Sequence, residues 1–353
     1  MSFSFTQRAF PELPEEVAGV LSTSLYTEFA TMTPKGVPLD TPLFAFVGPG
    51  GDTIDVATGL AYPAKANRVR RNPKVGLLLE GNGNPGEPVV SVAGIGAVRD
   101  ADIQANIERY LAETAARLPV TSGGMPWSTV RQAIWYWARI IVETTPKRVA
   151  WWPSIDHLDQ QPTVWSAPQT KAFPPSDHAP SGPPTAPAAW HQPTDWRPRA
   201  AEVLQQRIPC HLTVCDEEGF PLPFRLRSAD LVDDGFTLDV PKGAPWKPTG
   251  EASLCFSGRG IFVGLVEPTT EGAHLTVERR LPDMPLMANP AELWAPEPET
   301  KAALLARLEK ELARRGLPLP SVPEEPPAPT AGSLLRTHAT TQNHRPTTPL
   351  DHA

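Results

Sequence analysis

The chain has 353 residues, with 32 Lys plus Arg against 39 Asp plus Glu and a formal charge of −7. That length accommodates roughly two domains of about 150 residues, and the acidic balance argues against a general nucleic-acid binder, which carries a basic surplus. No window approaches the ~18 continuous apolar residues of a membrane span, no basic-then-apolar leader opens the chain, and the three cysteines Cys210, Cys215 and Cys255 are too few for a disulfide framework. The expectation is a soluble cytoplasmic protein with no membrane and no nucleic-acid partner.

A short helix is expected over 15–21, after Pro14. Strand-like runs follow at 25–32, 39–47, 53–57, 75–80 and 89–98, separated by turn signals such as Pro34-Lys35-Gly36 and Gly48-Pro49-Gly50-Gly51-Asp52. Short strands at near-regular spacing predict a small β-barrel. Between the third and fourth runs, 64–71 carries Lys65, Arg68, Arg70 and Arg71 in a short helical pattern, and 102–118 places Ile103, Ile107, Tyr110 and Leu111 on one face of an amphipathic helix. Two closing strands are expected at 139–143 and 148–152. A tryptophan-bearing stretch before them, 122–137, reads equally as a lid or as core.

Of the 44 prolines, many fall in 153–198 and in the tail from Pro318. Both segments lack apolar periodicity and read as an extended linker and a disordered tail, although Trp165, Trp190 and Trp196 leave open that the linker is pinned to a domain surface. From 201 to 317 the earlier order returns in weaker form. Run 211–216 leads to Glu218-Gly219-Phe220-Pro221 as 27–33 leads to Lys35-Gly36-Val37-Pro38. Strands are expected at 224–231, 236–240, 251–256 and 273–279, the last matched to 89–98. A helix over 299–315 takes the slot of 102–118. This predicts an internal duplication whose second copy lacks the two closing strands, with domains at 1–152 and 201–317, a linker at 153–200 and a tail at 318–353.

The chemistry concentrates between Ile54 and Leu79. A strand ends at Val56-Ala57-Thr58, and a short helix follows whose N-terminus offers unpaired N–H groups and a partial positive charge. Lys65 adds a full charge and Thr58 a hydroxyl, while Ala57 and Gly59 are small enough for a flat ring to approach. This describes a phosphate-sized anion site, with a solvated basic helix capping a barrel as the equal alternative. No His or Cys precedes His157. A Ser-His or Cys-His nucleophile within the first barrel is therefore excluded, and a His-ligated haem or zinc there would need ligands imported from elsewhere. Cys210, His211 and Cys215 lie on a predicted strand whose alternation sends them to different faces. The cysteines read as buried structural residues, and no metal site is expected.

The 54–79 stretch resembles the FMN-binding split-barrel superfamily, the pyridoxamine 5'-phosphate oxidase-like proteins. The pattern is a strand ending in Thr, a Lys opening a short helix, then Asn-Pro-x-Val. Thr58, Lys65, Asn72, Pro73 and Val75 match it, and 26–44, 92–100 and 140–152 resemble other strands of the family. The resemblance implies a mainly β fold with α (α+β), two split β-barrels in tandem. The second is degenerate, because Pro245 and Pro248 disfavour the phosphate-binding helix. It implies Lys65 on the ribityl phosphate of FMN, Val56, Ala57 and Thr58 lining ring and phosphate, Thr41 and Leu43 flanking the ring, and Trp151 or Trp152 at the flavin edge, with no catalytic residue identified. The implied activity is hydride transfer between a small organic substrate and the flavin. A deazaflavin coenzyme, its acidic tail held by Arg68, Arg70 and Arg71, is the alternative cofactor, and a non-catalytic flavin- or haem-binding module the alternative role. The family pairs as homodimers; a duplicated chain would pair its own barrels as an intrachain pseudo-dimer or still form a homodimer. Ala64 stands where the vitamin-pathway oxidase has Arg beside the Lys, so the vitamin B6 reaction is not expected.

Overall fold

In the computed structural model, residues 9–117, 125–183, 185, 195–282 and 293–326 are described. Helix α1 (Glu15–Thr23) buries Val17, Ala18, Val20 and Leu21 on one face. It is followed by β1 (Tyr26–Met32), β2 (Pro38–Val47), β3 (Ile54–Gly59), α2 (Ala64–Arg71), β4 (Lys74–Leu79), β5 (Val89–Arg99), α3 (Ile103–Arg117), two single turns α4 (Trp127–Val130) and α5 (Ile134–Trp137), β6 (Arg139–Trp152) and β7 (Thr163–Ser166). The sheet runs β3-β2-β1-β4-β5-β6-β7, and β3 also pairs with β6, so six strands close into a barrel. Inward residues such as Ile54, Val56, Leu77, Val92 and Val142 fill it. The architecture is the mainly β split barrel with helices that the sequence predicts.

The two expected closing strands are one. β6 passes through Pro146, which faces Gly94 where the β5–β6 register shifts between Ala93 and Gly94. A bulge tolerates a residue with no N–H to give to the ladder.

The second sheet is built from β8 (His211–Cys215), β9 (Pro221–Arg225), β10 (Ser228–Val232), β11 (Gly235–Asp239), β12 (Gly250–Cys255), β13 (Ile261–Pro268) and β14 (Ala273–Arg280), preceded by α6 (Arg197–Gln205) and followed by α7 (Pro298–Arg315). Its order is β10-β11-β14-β13-β12-β8-β9. If β9 and β10 are taken as one strand broken at Leu226 and Arg227, the pairing order repeats that of the first barrel. Three expectations are corrected here. The run 224–231 is broken. β13 was not foreseen, and β14, not β13, is the strand at 273–279. Because β14 pairs with β11 as β6 pairs with β3, it is the counterpart of β6, and the closing position is filled.

α7 does not occupy the slot of α3 either. β13 and β14 join directly through a turn at Gly272, which leaves no insertion point for a helix. Instead α7 buries Leu304, Leu308 and Leu312 in the core of the first barrel, beside Trp294. The supposed linker is also tied down: β7 pairs with β6, Trp165 packs on the first core, and Asp177 bonds to the backbone of Asp100 and Ala101. Trp196 is buried in the second core, while Trp190 lies outside the described residues. Of the tail, Val322 joins the first core and Pro323 accepts from Trp127 Nε1 at 3.1 Å; residues 327–353 lie outside the described set. Among the described residues no helix is long and apolar enough to cross a membrane.

The two sheets pack together through β9 on β4 and β1, and β12 on β2. At the centre of this seam Gly76 lets the other sheet approach: a Cβ there would lie 1.8 Å from the Pro221 carbonyl oxygen. Met32 and Cys215, at corresponding places in the two hairpins, meet with their sulfurs 3.3 Å apart.

Candidate functional site: a cationic corner at the end of β3

β3 ends at Thr58-Gly59, and α2 starts after Pro63 with no side-chain cap and no acidic residue in its first turn. The unpaired N–H groups of a helix start therefore keep their partial positive charge. Gly59 does not adopt a left-handed backbone; its place is fixed by pairing with Arg139 across the barrel closure. That pairing brings a residue the sequence reading missed. The Arg139 guanidinium lies 4.4 Å from the Tyr110 ring and 3.9 Å from the Tyr136 ring, whose hydroxyls are 3.0 Å apart.

Lys65, Arg68 and Arg139 thus share one corner. Burial, with Arg68 and Arg139 adding repulsion, pushes the Lys65 ammonium down to about 7. Burial and Arg71 push Arg68 down to about 10. Among the described residues none of the three has an acidic partner, and the Nε atoms of Arg68 and Arg139 are buried without a hydrogen-bond partner. Buried charge normally arrives paired. Three uncompensated cations beside a helix start fit a phosphate-sized dianion.

The other arginines of α2 are committed elsewhere. Arg70 donates to the Asp100 carboxylate and the Asp177 carbonyl, and Arg71 to the Met32 carbonyl at 3.2 Å. Of the expected trio for an acidic tail, only Arg68 remains.

Of the remaining predicted residues, β2 and β3 pair only from Ala45↔Val56 to Val47↔Ile54. Leu43 and Thr58, which the same register would set opposite each other, flank the unpaired part. Leu43 is partly buried and Thr41 buried, its Oγ1 without a partner. Val56 is fully buried in the barrel core and Ala57 nearly so, so these two can offer little besides backbone. Trp151 is not brought to this corner. It pairs with Val90 and Thr163, roughly 35 Å along β6 from Ile140, the partner of Thr58, at about 3.3 Å per residue. Trp152 is fully buried between the sheets, its ring 4.9 Å from Phe224 and its Nε1 donating to Gln160 at 2.9 Å. The flavin-edge role expected of either tryptophan is not supported by these positions.

The foreseen lid resolves partly as core. Trp135 and Trp137 are buried, while 118–124 lies outside the described residues. What does cross the corner is the C-terminal segment. Arg307 donates from Nε to the Ala61 carbonyl at 3.0 Å and sits 5.4 Å from the Tyr62 ring. Trp294 stacks on Trp137 at 5.4 Å and meets Tyr136 edge-on at 4.8 Å. A cavity of about 700 Å³ opens at the C-terminal end of α7, lined by Asp100, Asp177, His178 and Arg314 among others; neither Thr58 nor Lys65 borders it. In the second sheet the segment 242–248 forms no helix, and no counterpart of α2 exists there.

The fold is that of a split β-barrel carrying a cationic corner at the end of its third strand. Solved structures similar to the chain include a putative pyridoxamine 5'-phosphate oxidase from Listeria innocua, 16% identical over 39% of this chain and 97% of that one, with a TM-score of 0.29. An F420 reductase is 20% identical over 39% of this chain and 98% of that one, at 0.30. A conserved hypothetical protein from Mycobacterium tuberculosis is 27% identical over 40% of this chain and 84% of that one, at 0.31. No protein-family model and no curated protein sequence matches the chain.

Proposed function

We propose that the corner holds the phosphorylated tail of FMN, and that the chain is an FMN-dependent oxidoreductase acting on a small organic substrate. The observation that carries this reading is the convergence of Lys65, Arg68 and Arg139, with no acid among the described residues to neutralise them, at the start of α2. Lys65 and Arg139 would bind the phosphate by charge-assisted hydrogen bonds, the first N–H groups of α2 and Thr58 would complete the cradle, and Thr41 and Leu43 would flank the ring where β2 leaves β3. The flavin, when bound, supplies a two-electron hydride acceptor and donor; the protein supplies position and electrostatics. Commitment of Arg70 and Arg71 within the chain weighs against the long acidic tail of a deazaflavin coenzyme. The contact between the two sheets supports an intrachain pseudo-dimer over a homodimer, and three unpaired cysteines support a reducing compartment such as the cytoplasm.

The test is titration of the full chain with FMN, and separately with a deazaflavin coenzyme, followed by flavin fluorescence and absorbance. FMN is expected to bind, and Lys65→Ala to weaken it about 10- to 100-fold, the value of one charge-assisted bond. Equal retention by wild type and variant would remove the site, and failure of bound FMN to turn over with reduced nicotinamide or another small organic donor would reduce the chain to a binding module.

A further inference from the structure

The seam between the sheets holds a second cluster, unrelated to the cationic corner. Glu28 of β1, Asp40 of β2, His211 of β8 and Cys255 of β12 are 7, 0, 2 and 0% exposed. Glu28 Oε2 lies 3.9 Å from Cys255 Sγ, and Glu28 Oε1 lies 3.6 Å from His211 Nδ1. One ligand atom each from Glu28, Asp40 and Cys255 fall within 4.8 Å of one another.

The outward atoms of these side chains are already engaged. His211 Nε2 meets Glu80 Oε2 at 2.9 Å, and Glu80 is held in turn by Arg225 at 3.3 Å. Asp40 Oδ1 accepts from Ser253 Oγ at 3.0 Å, and the Gly258 N–H donates to Cys255 Sγ at 3.4 Å. The atoms left over, His211 Nδ1 and Asp40 Oδ2, are buried and have no hydrogen-bond partner.

Two features of this arrangement call for a cation. The Glu80 carboxylate holds a proton on Nε2, and the buried Nδ1 faces the Glu28 carboxyl at 3.6 Å with no hydrogen bond made. Glu80 already answers to His211 and Arg225, which leaves Glu28 and Asp40 as a second pair of buried acids beside a thiol. A carboxylate behind the far nitrogen of a histidine is the usual way of orienting a metal-bound imidazole. The 3.6 Å His211–Glu28 and 3.9 Å Glu28–Cys255 spacings are near the ~3.3–3.7 Å edges of a tetrahedron with bonds of about 2.0–2.3 Å, while His211 stands outside the 4.8 Å group formed by Glu28, Asp40 and Cys255 and would have to close on it. A thiolate and an imidazole among the donors select a borderline-soft transition metal over Mg²⁺ or Ca²⁺.

We propose that the seam binds one Zn²⁺ ion through Glu28 and Asp40 of the first sheet and His211 and Cys255 of the second. The ion takes Cys255 as the thiolate, so its thiol proton passes to solvent on binding, and the N–H of Gly258 supports the sulfur's charge. The ligands missing from the first barrel are thus supplied by the second, and the ion ties one sheet to the other.

The full-length chain, stripped with chelator and titrated with Zn²⁺ or Co²⁺, decides the matter. One equivalent should bind with proton release. The Co²⁺ form should show a thiolate charge-transfer band in the near ultraviolet and the intense visible bands of a four-coordinate ion. Cys255→Ser should abolish the charge-transfer band, His211→Gln should weaken binding at least about tenfold, and Glu80→Gln about 10- to 100-fold by loosening the ring; Cys210→Ser should change nothing. If folded wild-type chain takes up neither metal stoichiometrically, or takes up cobalt without the thiolate band, the site does not exist. This wild-type spectrum settles the question even where a seam variant fails to fold.

Discussion

At the scale of single residues, the corner at the end of β3 is a place where the ligand-free chain tolerates an electrostatic cost. The Lys65 ammonium titrates near 7 in place of 10.5 because burial and two guanidinium groups disfavour its charge. Between those pH values the unfolded chain holds a proton that the folded chain has released, so stability rises with pH across that window, and the cost is complete below 7. Lys65→Met should therefore raise the stability of the ligand-free protein at about pH 6 by about 1–2 kcal/mol, a value discounted for the partial exposure of the side chain, and leave it nearly unchanged at about pH 10. Urea unfolding of wild type and variant at the two pH values checks this; a difference that does not shrink as pH rises would mean that the ammonium is not under strain. Inorganic phosphate should narrow the gap at the lower pH by stabilising the wild type alone, since anything bound only to the folded form adds to its stability.

Among the elements, α7 reaches furthest in consequence. Leu308 is fully buried in the core of the first barrel although it follows the whole second sheet in the chain. Leu308→Ala should cost about 2–5 kcal/mol, the range for emptying a buried leucine site. Hydrogen exchange should show the lost protection in α5 and β3; loss concentrated in β11 to β14 would contradict the assignment of this helix to the first core. The helix itself was legible in the sequence, from its stripe of Leu304, Leu308 and Leu312, but an amphipathic stripe states only that a face is buried, never against what. The same limit explains Arg139. It is one residue of an expected strand, and it becomes a site cation only because barrel closure sets it opposite Gly59. Arg70 reads as free for the mirror-image reason, since the Asp100 carboxylate that neutralises it and the Asp177 carbonyl that accepts from it come from distant segments. The strands of the first barrel were readable because alternation and turn residues such as Gly36 act locally, and the limits of α2 because Pro63 and Asn72-Pro73 bound it. β13 is legible too, in the apolar run Ile261-Phe262-Val263, but matching 273–279 to 89–98 sets the repeat one strand out of step and hides it.

For the whole molecule, the seam decides whether the chain behaves as one unit or two. The sheets approach most closely where Gly76 has no side chain, and the obstacle to adding one is the Pro221 carbonyl, 1.8 Å from the position a Cβ would take. A backbone oxygen cannot rotate away as a side chain would, so Gly76→Val must push β9 off β4 or distort both strands. Overpacked sites commonly lose 1–3 kcal/mol, and with the obstacle on the main chain the expected loss is at the upper end, about 3 kcal/mol. Because Glu28, Asp40, His211 and Cys255 span the same surface, separating the sheets would also hydrate buried acids, and the two cores should then unfold in separate steps. Gly19→Ala in α1, where a Cβ meets nothing within 4 Å, supplies the contrast: removing a helix glycine should add up to about 1 kcal/mol with the transition left single. Urea unfolding followed by tryptophan fluorescence reports both cores, since Trp137 belongs to the first and Trp196 and Trp246 to the second. One sharp transition in Gly76→Val at the wild-type midpoint would show that the close approach contributes nothing to holding the two sheets together.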